Sequence, residues 1–279
     1  MQYPFLEAWK TLAIVRVSFF SNQLHRTVPF TAVLPNDGEA YPGQVPDFVT
    51  GKMKTLYLLH GYTGDENDYL SNSLVRELSA KYKIAVIMPA GENCFYVDSE
   101  DDVLGYGRYI GEELVEYTRR IFRLSDKRED TFIAGLSMGG YGAMRNGLVY
   151  HDTFSKICAF SGAYIIFRII DAGGKPFTDE VSNPAMQRRL FGDFGTLKER
   201  GLDPRDLVKK LKKSGGEIPE IFMTIGDGDP LLDLNHSMRD ALEKAGVPFT
   251  YIEDEGIHDW AYWNKHMEEA FAWLAGEEC

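Results

Sequence analysis

The chain has 279 residues, of which 44% are hydrophobic and 26% charged, and its formal net charge at pH 7 is -12. This length suffices for one sizeable core but not for two ordinary α/β domains with a linker, so we expect a single globular domain. The acidic excess repels nucleic acid phosphates and anionic lipid, which excludes nucleic acid as an expected partner. No apolar run approaches the roughly 18 residues of a membrane span, and we expect no membrane association.

The chain contains three cysteines, Cys94, Cys158 and Cys279. Their odd number and the lack of C-x-x-C spacing predict neither a disulfide framework nor a metal site. Glu7, Lys10 and Arg16 interrupt the hydrophobic positions of the N-terminus, so no signal peptide is predicted. We therefore expect a cytoplasmic protein in a reducing compartment.

Short β-rich runs alternate with amphipathic helical stretches, which is typical of an α/β fold with a mainly parallel sheet and helices on both faces. Two consecutive strand-like runs come first, at 12–20 and 28–34, and we expect them to pair antiparallel at one edge of the sheet. Further strands are predicted at 55–59, 84–88, 131–135, 156–160, 221–225 and 249–253. Helices are predicted at 68–81, 107–122, 139–149, 204–213, 235–245 and 260–274.

The regular alternation fails between residues 163 and 216, where glycines and prolines separate short helical pieces. An insertion of this kind predicts a small helical cap over the sheet. Within it, residues 188–213 hold nine basic and four acidic side chains. We interpret this bias as solvated helix faces in preference to an anion-attracting rim.

The motif Gly135-Leu136-Ser137-Met138-Gly139 matches G-x-S-x-G between a predicted strand and a predicted helix. Glycine is needed on both sides of such a serine because the tight turn leaves no room for a Cβ atom. The turn exposes the hydroxyl at a helix N-terminus, where the dipole favours a developing negative charge. Ser137 is therefore the candidate nucleophile; the alternative is a serine N-cap at a glycine-rich helix start.

A serine nucleophile needs a base, and in this kind of sheet the acid and then the histidine follow it in the chain. His258 is the candidate because it lies in the loop that leaves the last strand. The other histidines after Ser137 have ordinary explanations in a helix-closing turn or within helices: His151, His236 and His266. Asp227, Asp229 and Asp233 follow the preceding strand, and spacing does not choose between Asp227 and Asp229, which are also plausible turn residues.

A second glycine-containing turn, Leu58-Leu59-His60-Gly61-Tyr62-Thr63-Gly64, follows an apolar strand well before the serine. A hydrolase of this chain order places its second oxyanion donor there, so the backbone N–H groups of Tyr62 and Met138 are the predicted oxyanion hole. His60 is then expected to be structural, bonding loop carbonyls beneath the site. A phosphate-binding loop is disfavoured because neither phosphate-loop glycine pattern is present.

These motifs, together with Phe95-Tyr96-Val97-Asp98, Gly226 to Asp229 and His258-Asp259-Trp260, resemble the esterase D family of α/β-hydrolases. The bacterial tributyrin-esterase and cinnamoyl-esterase type is the most similar, and the resemblance covers most of the chain. It implies an α/β-hydrolase fold, ester hydrolysis by a Ser-Asp-His triad and no cofactor. It also implies that Asp229 is the acid, since relatives carry glycine, two variable residues and then aspartate.

The expected activity is therefore a serine carboxylesterase acting on short acyl or hydroxycinnamoyl (feruloyl) esters, including those of plant cell walls. The predicted substrate-binding residues are Gly61, Phe95, Tyr96 and Trp260, with Tyr62 and Phe167 as further candidates, although aromatic residues near strand edges are often core residues. Rival expectations are an S-formylglutathione hydrolase-like thioesterase, an acyltransferase, and a binding protein on an inactive hydrolase fold. A homo-oligomer is a further expectation.

Overall fold

A computed structural model describes residues 12–35, 49, 51–101, 103–179 and 182–277. The predictions for Glu7, Lys10 and Cys279 lie outside these ranges. Within them, no helix is both long and apolar enough to cross a membrane.

Eight strands form one sheet in the described part of the chain, in the order β1-β2-β4-β3-β5-β6-β7-β8. The strands are β1 (Ala13–Ser21), β2 (Arg26–Leu34), β3 (Lys54–Leu59), β4 (Ile84–Pro89), β5 (Thr131–Leu136), β6 (Lys156–Phe160), β7 (Glu220–Gly226) and β8 (Phe249–Asp254). The pairs β1/β2 and β2/β4 are antiparallel, and every other pair is parallel. The predicted antiparallel edge on a mainly parallel sheet is confirmed.

Helices cover both faces of the sheet, as the alternating pattern predicts. They are α1 (Asp68–Asn72), α2 (Val75–Tyr82), α3 (Tyr106–Arg108), α4 (Leu114–Ile121), α5 (Met138–Val149), α6 (Ile166–Asp171), α7 (Pro184–Phe191), α8 (Pro204–Ser214), α9 (Leu232–Ala245) and α10 (Trp260–Ala275). Side chains of α2 and α10 bury one face, and those of α4, α5 and α9 bury the other. Both sides of the central strands are thereby removed from water, and β4 and β5 are buried along their whole length.

Two predicted helices differ from the observed ones. The predicted helix 68–81 is interrupted after Asn72, because the Ser73 backbone is extended and its hydroxyl donates to the Tyr69 carbonyl at 2.6 Å. The predicted helix 107–122 consists of α3, a π-helical turn at Tyr109–Glu113, and α4. The pattern of apolar residues contains neither feature.

The segment between β6 and β7 holds α6, α7 and α8. Pro184 and Pro204 begin α7 and α8, where a missing N–H costs nothing, and the side chains of Asn183 and Asp203 cap these helices. The assignment of residues 163–216 as a cap insertion in a single domain stays a prediction.

Candidate active site

Ser137 lies in the turn between β5 and α5, with φ 53° and ψ -116°. A non-glycine residue rarely adopts a positive φ, so the surrounding structure must hold this turn. The Ser137 N–H donates to the Phe160 carbonyl at 2.9 Å, and its own carbonyl accepts from the Ala163 N–H at 2.8 Å. Both contacts come from the end of β6 and the residues after it, so the neighbouring strand fixes the turn.

The two motif glycines are needed for steric reasons. A Cβ atom on Gly139 would overlap the carbonyl oxygen of Leu59, and one on Gly135 would overlap the backbone carbonyl of Gly139. The clashing atoms belong to the backbone and cannot rotate away. The turn can therefore approach the end of β3 only with glycine at both positions.

His258 connects Ser137 to Asp229. Its Nε2 atom lies 2.9 Å from Ser137 Oγ, and its Nδ1 atom lies 2.8 Å from Asp229 Oδ2. The carboxylate is completely buried, whereas the imidazole is 27% exposed. The second oxygen of Asp229 accepts from the Leu231 N–H at 2.8 Å, which fixes the carboxyl plane. This arrangement can take a proton from the serine hydroxyl and stabilise the resulting imidazolium.

The other two carboxylates predicted after β7 do not contact His258. Asp227 is exposed and accepts a hydrogen bond from the Gly256 N–H at 3.3 Å, and Asp233 is also exposed. Spacing left Asp227 and Asp229 equal, but the structure brings only Asp229 to His258 among these three aspartates. Asp227 has the turn role that its Asp-Gly sequence favours.

The other histidines that follow Ser137 in the chain do not contact it. His236 contacts Glu253 at 2.7 Å, and buried His266 lies between Asp254 and Glu269. His151 lies in the turn that follows α5, as predicted.

Gly61 and Tyr62 lie beside the serine. A Cβ atom on Gly61 would lie 3.6 Å from Ser137 Cβ, so the turn after β3 passes close to the nucleophile. Met138 is the first residue of α5, where backbone N–H groups have no partner within the helix. In the described part of the chain, the N–H groups of Tyr62 and Met138 donate to no acceptor. Both are available to a substrate oxygen.

His60 holds this turn through hydrogen bonds at both of its ring nitrogens. Its Nε2 atom accepts from the Gly91 N–H at 2.8 Å, which leaves Nδ1–H to donate to the Gly61 carbonyl at 2.7 Å. Burial lowers the pKa of His60 below its ordinary value, and the acceptor role of Nε2 equally requires the neutral ring. The structural role expected for His60 agrees with these contacts.

The aromatic residues predicted to bind substrate have different surroundings. Tyr96 is 0% exposed, and its hydroxyl donates to the His60 carbonyl at 3.0 Å. Phe95 is also buried, with its ring 5.4 Å from that of Phe191. Trp260 is half-buried, with its ring 5.3 Å from that of Trp263.

Phe167 is a core residue as well. It is fully buried and stacks on Tyr164 at 5.2 Å. Tyr96, Phe95 and Phe167 are thus all buried, as aromatic residues near a strand edge often are, and a substrate-binding role for them stays a prediction.

Tyr62 also lines a cavity of about 350 Å³. Residues of α7, including Met186 and Arg189, form one wall, and Glu92 and Cys94 form another. Of the residues that the sequence offered for substrate binding, Tyr62 lines this cavity, and the basic bias of residues 188–213 gave the only signal for Arg189. Burial raises the pKa of the Cys94 thiol, whose S–H donates to the Gly91 carbonyl at 2.7 Å, and both effects disfavour the reactive thiolate.

Comparisons with known proteins agree with this geometry. The Esterase family model matches residues 21–274. An acetyl esterase of Caldicellulosiruptor saccharolyticus is 42% identical over 95% of this chain and 98% of its own length. An S-formylglutathione hydrolase of Paracoccus denitrificans is 29% identical over 82% of this chain and 85% of its own length.

Among solved structures, the substrate-bound fluorophosphonate-binding serine hydrolase F of Staphylococcus aureus superposes with a TM-score of 0.79 at 29% identity. The alignment covers 95% of this chain and 99% of that one. It confirms the predicted α/β-hydrolase fold. With the family match across nearly the whole chain, it also argues against the binding-protein alternative. The chain therefore belongs to the Esterase family, and it is a carboxylic ester hydrolase.

Proposed function

We propose that this protein hydrolyses short-chain acyl esters through an acyl-enzyme on Ser137. The observation that carries the proposal is the hydrogen-bonded series from Ser137 through His258 to buried Asp229, with contacts of 2.9 and 2.8 Å. A short acyl chain is the substrate class favoured by the relative named acetyl esterase, the more similar of the two curated relatives described above.

In the acylation half-reaction, Ser137 Oγ attacks the ester carbonyl carbon while His258 Nε2 accepts the hydroxyl proton. Asp229 holds Nδ1–H, which keeps the correct tautomer and stabilises the imidazolium. The N–H groups of Tyr62 and Met138 bind the oxyanion of the tetrahedral intermediate. The C–O bond to the alcohol then breaks, and the alcohol leaves with the proton from His258.

In the deacylation half-reaction, water occupies the position of the departed alcohol and gives a proton to His258. The resulting hydroxide attacks the acyl carbon, the oxyanion forms again, and the bond to Ser137 Oγ breaks. His258 returns its proton to the serine, and the carboxylic acid leaves. An alcohol in place of water would give acyl transfer.

The test is a panel of para-nitrophenyl acetate, para-nitrophenyl butyrate, methyl ferulate and S-formylglutathione, with Ser137→Ala as control. We expect the highest kcat/KM for the acetyl or butyryl ester and loss of all turnover in the variant. Preference for methyl ferulate would assign the hydroxycinnamoyl class instead.

A thioesterase is the second candidate, because the relative named S-formylglutathione hydrolase covers most of both chains. A kcat/KM for S-formylglutathione that exceeds those of the oxygen esters by about a hundredfold would favour it. The triad chemistry is the same for both classes, and only the leaving atom differs.

A further inference from the structure

The cavity beside Tyr62 has the size of a small-molecule site. Its volume is about 350 Å³, within the usual range of ligand pockets. Apolar side chains from two elements line it, Val97 from the segment after β4 and Met186 and Leu190 from α7. These three side chains can pack against a short methylene chain, and polar side chains, including Asn93 and Ser99, line the rest of the cavity.

The charges around this cavity do not cancel. Glu92 forms an ion pair with Arg26 and accepts from the Tyr106 hydroxyl at 2.9 Å, so its negative charge is compensated. Arg189 also lines the cavity, and it has no carboxylate or carbonyl partner in the ranges that the structure describes. Among the described residues that line the cavity, Arg189 is the cation without an acidic partner, in a protein whose net charge is -12.

Two other arginines of the same segment have partners. Arg188 lies over the Phe194 ring at 4.9 Å, on the side of a different cavity. Arg205 is bound by the buried carboxylate of Asp203. Arg189 differs from these two in lining the cavity beside Tyr62 with no carboxylate partner among the described residues.

The position of the cavity indicates which half of an ester it would hold. Along the carboxyl edge of the sheet, the loops after β4 and β3 lie on one side of Ser137, and His258, after β8, lies on the other. The leaving-group oxygen must face His258 Nε2 to receive its proton. The acyl half then points toward the β3 and β4 side of Ser137, where Tyr62 lines the cavity.

We propose that this cavity is an acyl subsite in which Arg189 selects acyl chains that end in a carboxylate. The inference rests on the proposed role of Ser137 as nucleophile. The methylene chain packs between Met186 and Val97, and the terminal carboxylate receives charge-assisted hydrogen bonds from the planar guanidinium.

The test compares two para-nitrophenyl esters of adipic acid. In the first the far carboxylate is free, and in the second it is a neutral methyl ester. The readout is the ratio of their kcat/KM values, anionic over neutral. Because the guanidinium is exposed, we expect Arg189→Gln to lower this ratio about five- to tenfold. Arg189→Lys keeps the charge and is expected to retain an intermediate ratio. Arg188→Gln, on the same helix, is the matched control and should leave the ratio at the wild-type value.

A second pair of substrates, para-acetoxybenzoate and its methyl ester, puts the carboxylate on the leaving group. Here Arg189→Gln should leave the ratio unchanged. An effect confined to this second pair would overturn the acyl placement. An unchanged ratio with the adipate pair would overturn the subsite while normal wild-type turnover of the neutral ester still supports the proposed function. No turnover of any ester by the wild-type enzyme would overturn both.

Discussion

Trp263 stands edge-on to His258, with the ring centroids 5.0 Å apart and the ring planes at 88°. The indole is itself held, because Nε1–H donates to the Ser161 hydroxyl at 3.1 Å. Ser161 directly follows β6, the strand that also fixes the Ser137 turn. The nucleophile and the ring of its base are therefore positioned by the same strand end.

This contact predicts a graded response at position 263. Trp263→Phe keeps an aromatic ring beside His258 but loses the hydrogen bond to Ser161, so we expect unfolding to cost about 1 kcal/mol less and kcat to fall less than about threefold. Trp263→Leu removes the ring, and a displaced imidazole is expected to lower kcat by about ten- to a hundredfold. Urea unfolding and steady-state kinetics measure the two effects separately. Equal kcat values for both variants would show that the ring contact does not position His258.

The two carboxylates after β7 should differ sharply. Asp229→Asn places an amide at His258 Nδ1 and favours the wrong tautomer, so we expect kcat to fall by about three to four orders of magnitude. Asp227→Asn alters only an exposed turn residue and should change kcat less than about threefold. Esterase kinetics on both variants check this ranking, and the reverse order would transfer the role to Asp227.

Some features of the fold and the candidate site are predictable from the sequence, and others are not. The order of strands and helices, and the placement of Ser137 between β5 and α5, follow from apolar periodicity and from glycines that a tight turn requires. The choice of Asp229 does not, because two aspartates two residues apart both leave the same strand, and only the tertiary packing buries one of them. Tyr96 and Phe95 show the same limit, since an aromatic side chain suits a core and a pocket equally.

Glycine at the motif positions should be needed for folding as well as for activity. Gly139→Ala forces a methyl group against the Leu59 carbonyl, and we expect the free energy of unfolding to drop by about 2 to 3 kcal/mol. Gly51→Ala is the matched control, because its Cβ would meet nothing within 4 Å. Urea denaturation of the two variants measures the difference. Equal stability would mean that the β3 end moves freely away from α5.

Burial of His60 predicts a pH dependence of stability. Its pKa is lowered in the folded state, so below about pH 6.5 the unfolded chain gains a proton that the native protein does not. The contribution of His60 therefore makes stability fall as pH decreases below that value, by at most about 1.4 kcal/mol per pH unit. His60→Gln should reduce this slope in urea unfolding between pH 7.5 and 5.5.

The same neutral state has a spectroscopic readout that does not depend on the variant folding. The imidazole ¹⁵N shifts of His60 in the wild-type protein should remain those of the Nδ1–H tautomer at pH 6. A charged ring at that pH would contradict the assigned hydrogen bonds to Gly61 and Gly91.

The account depends most on Ser137 being the nucleophile, and covalent labelling tests this directly. Wild-type protein treated with a fluorophosphonate should gain the mass of one phosphonyl group, and peptide mapping should place it on Ser137, because His258 activates this hydroxyl and its phosphonyl adduct cannot turn over as an acyl ester does. Ser137→Ala should gain no mass. A stoichiometric adduct on any other residue, or undiminished labelling of Ser137→Ala, would contradict the account.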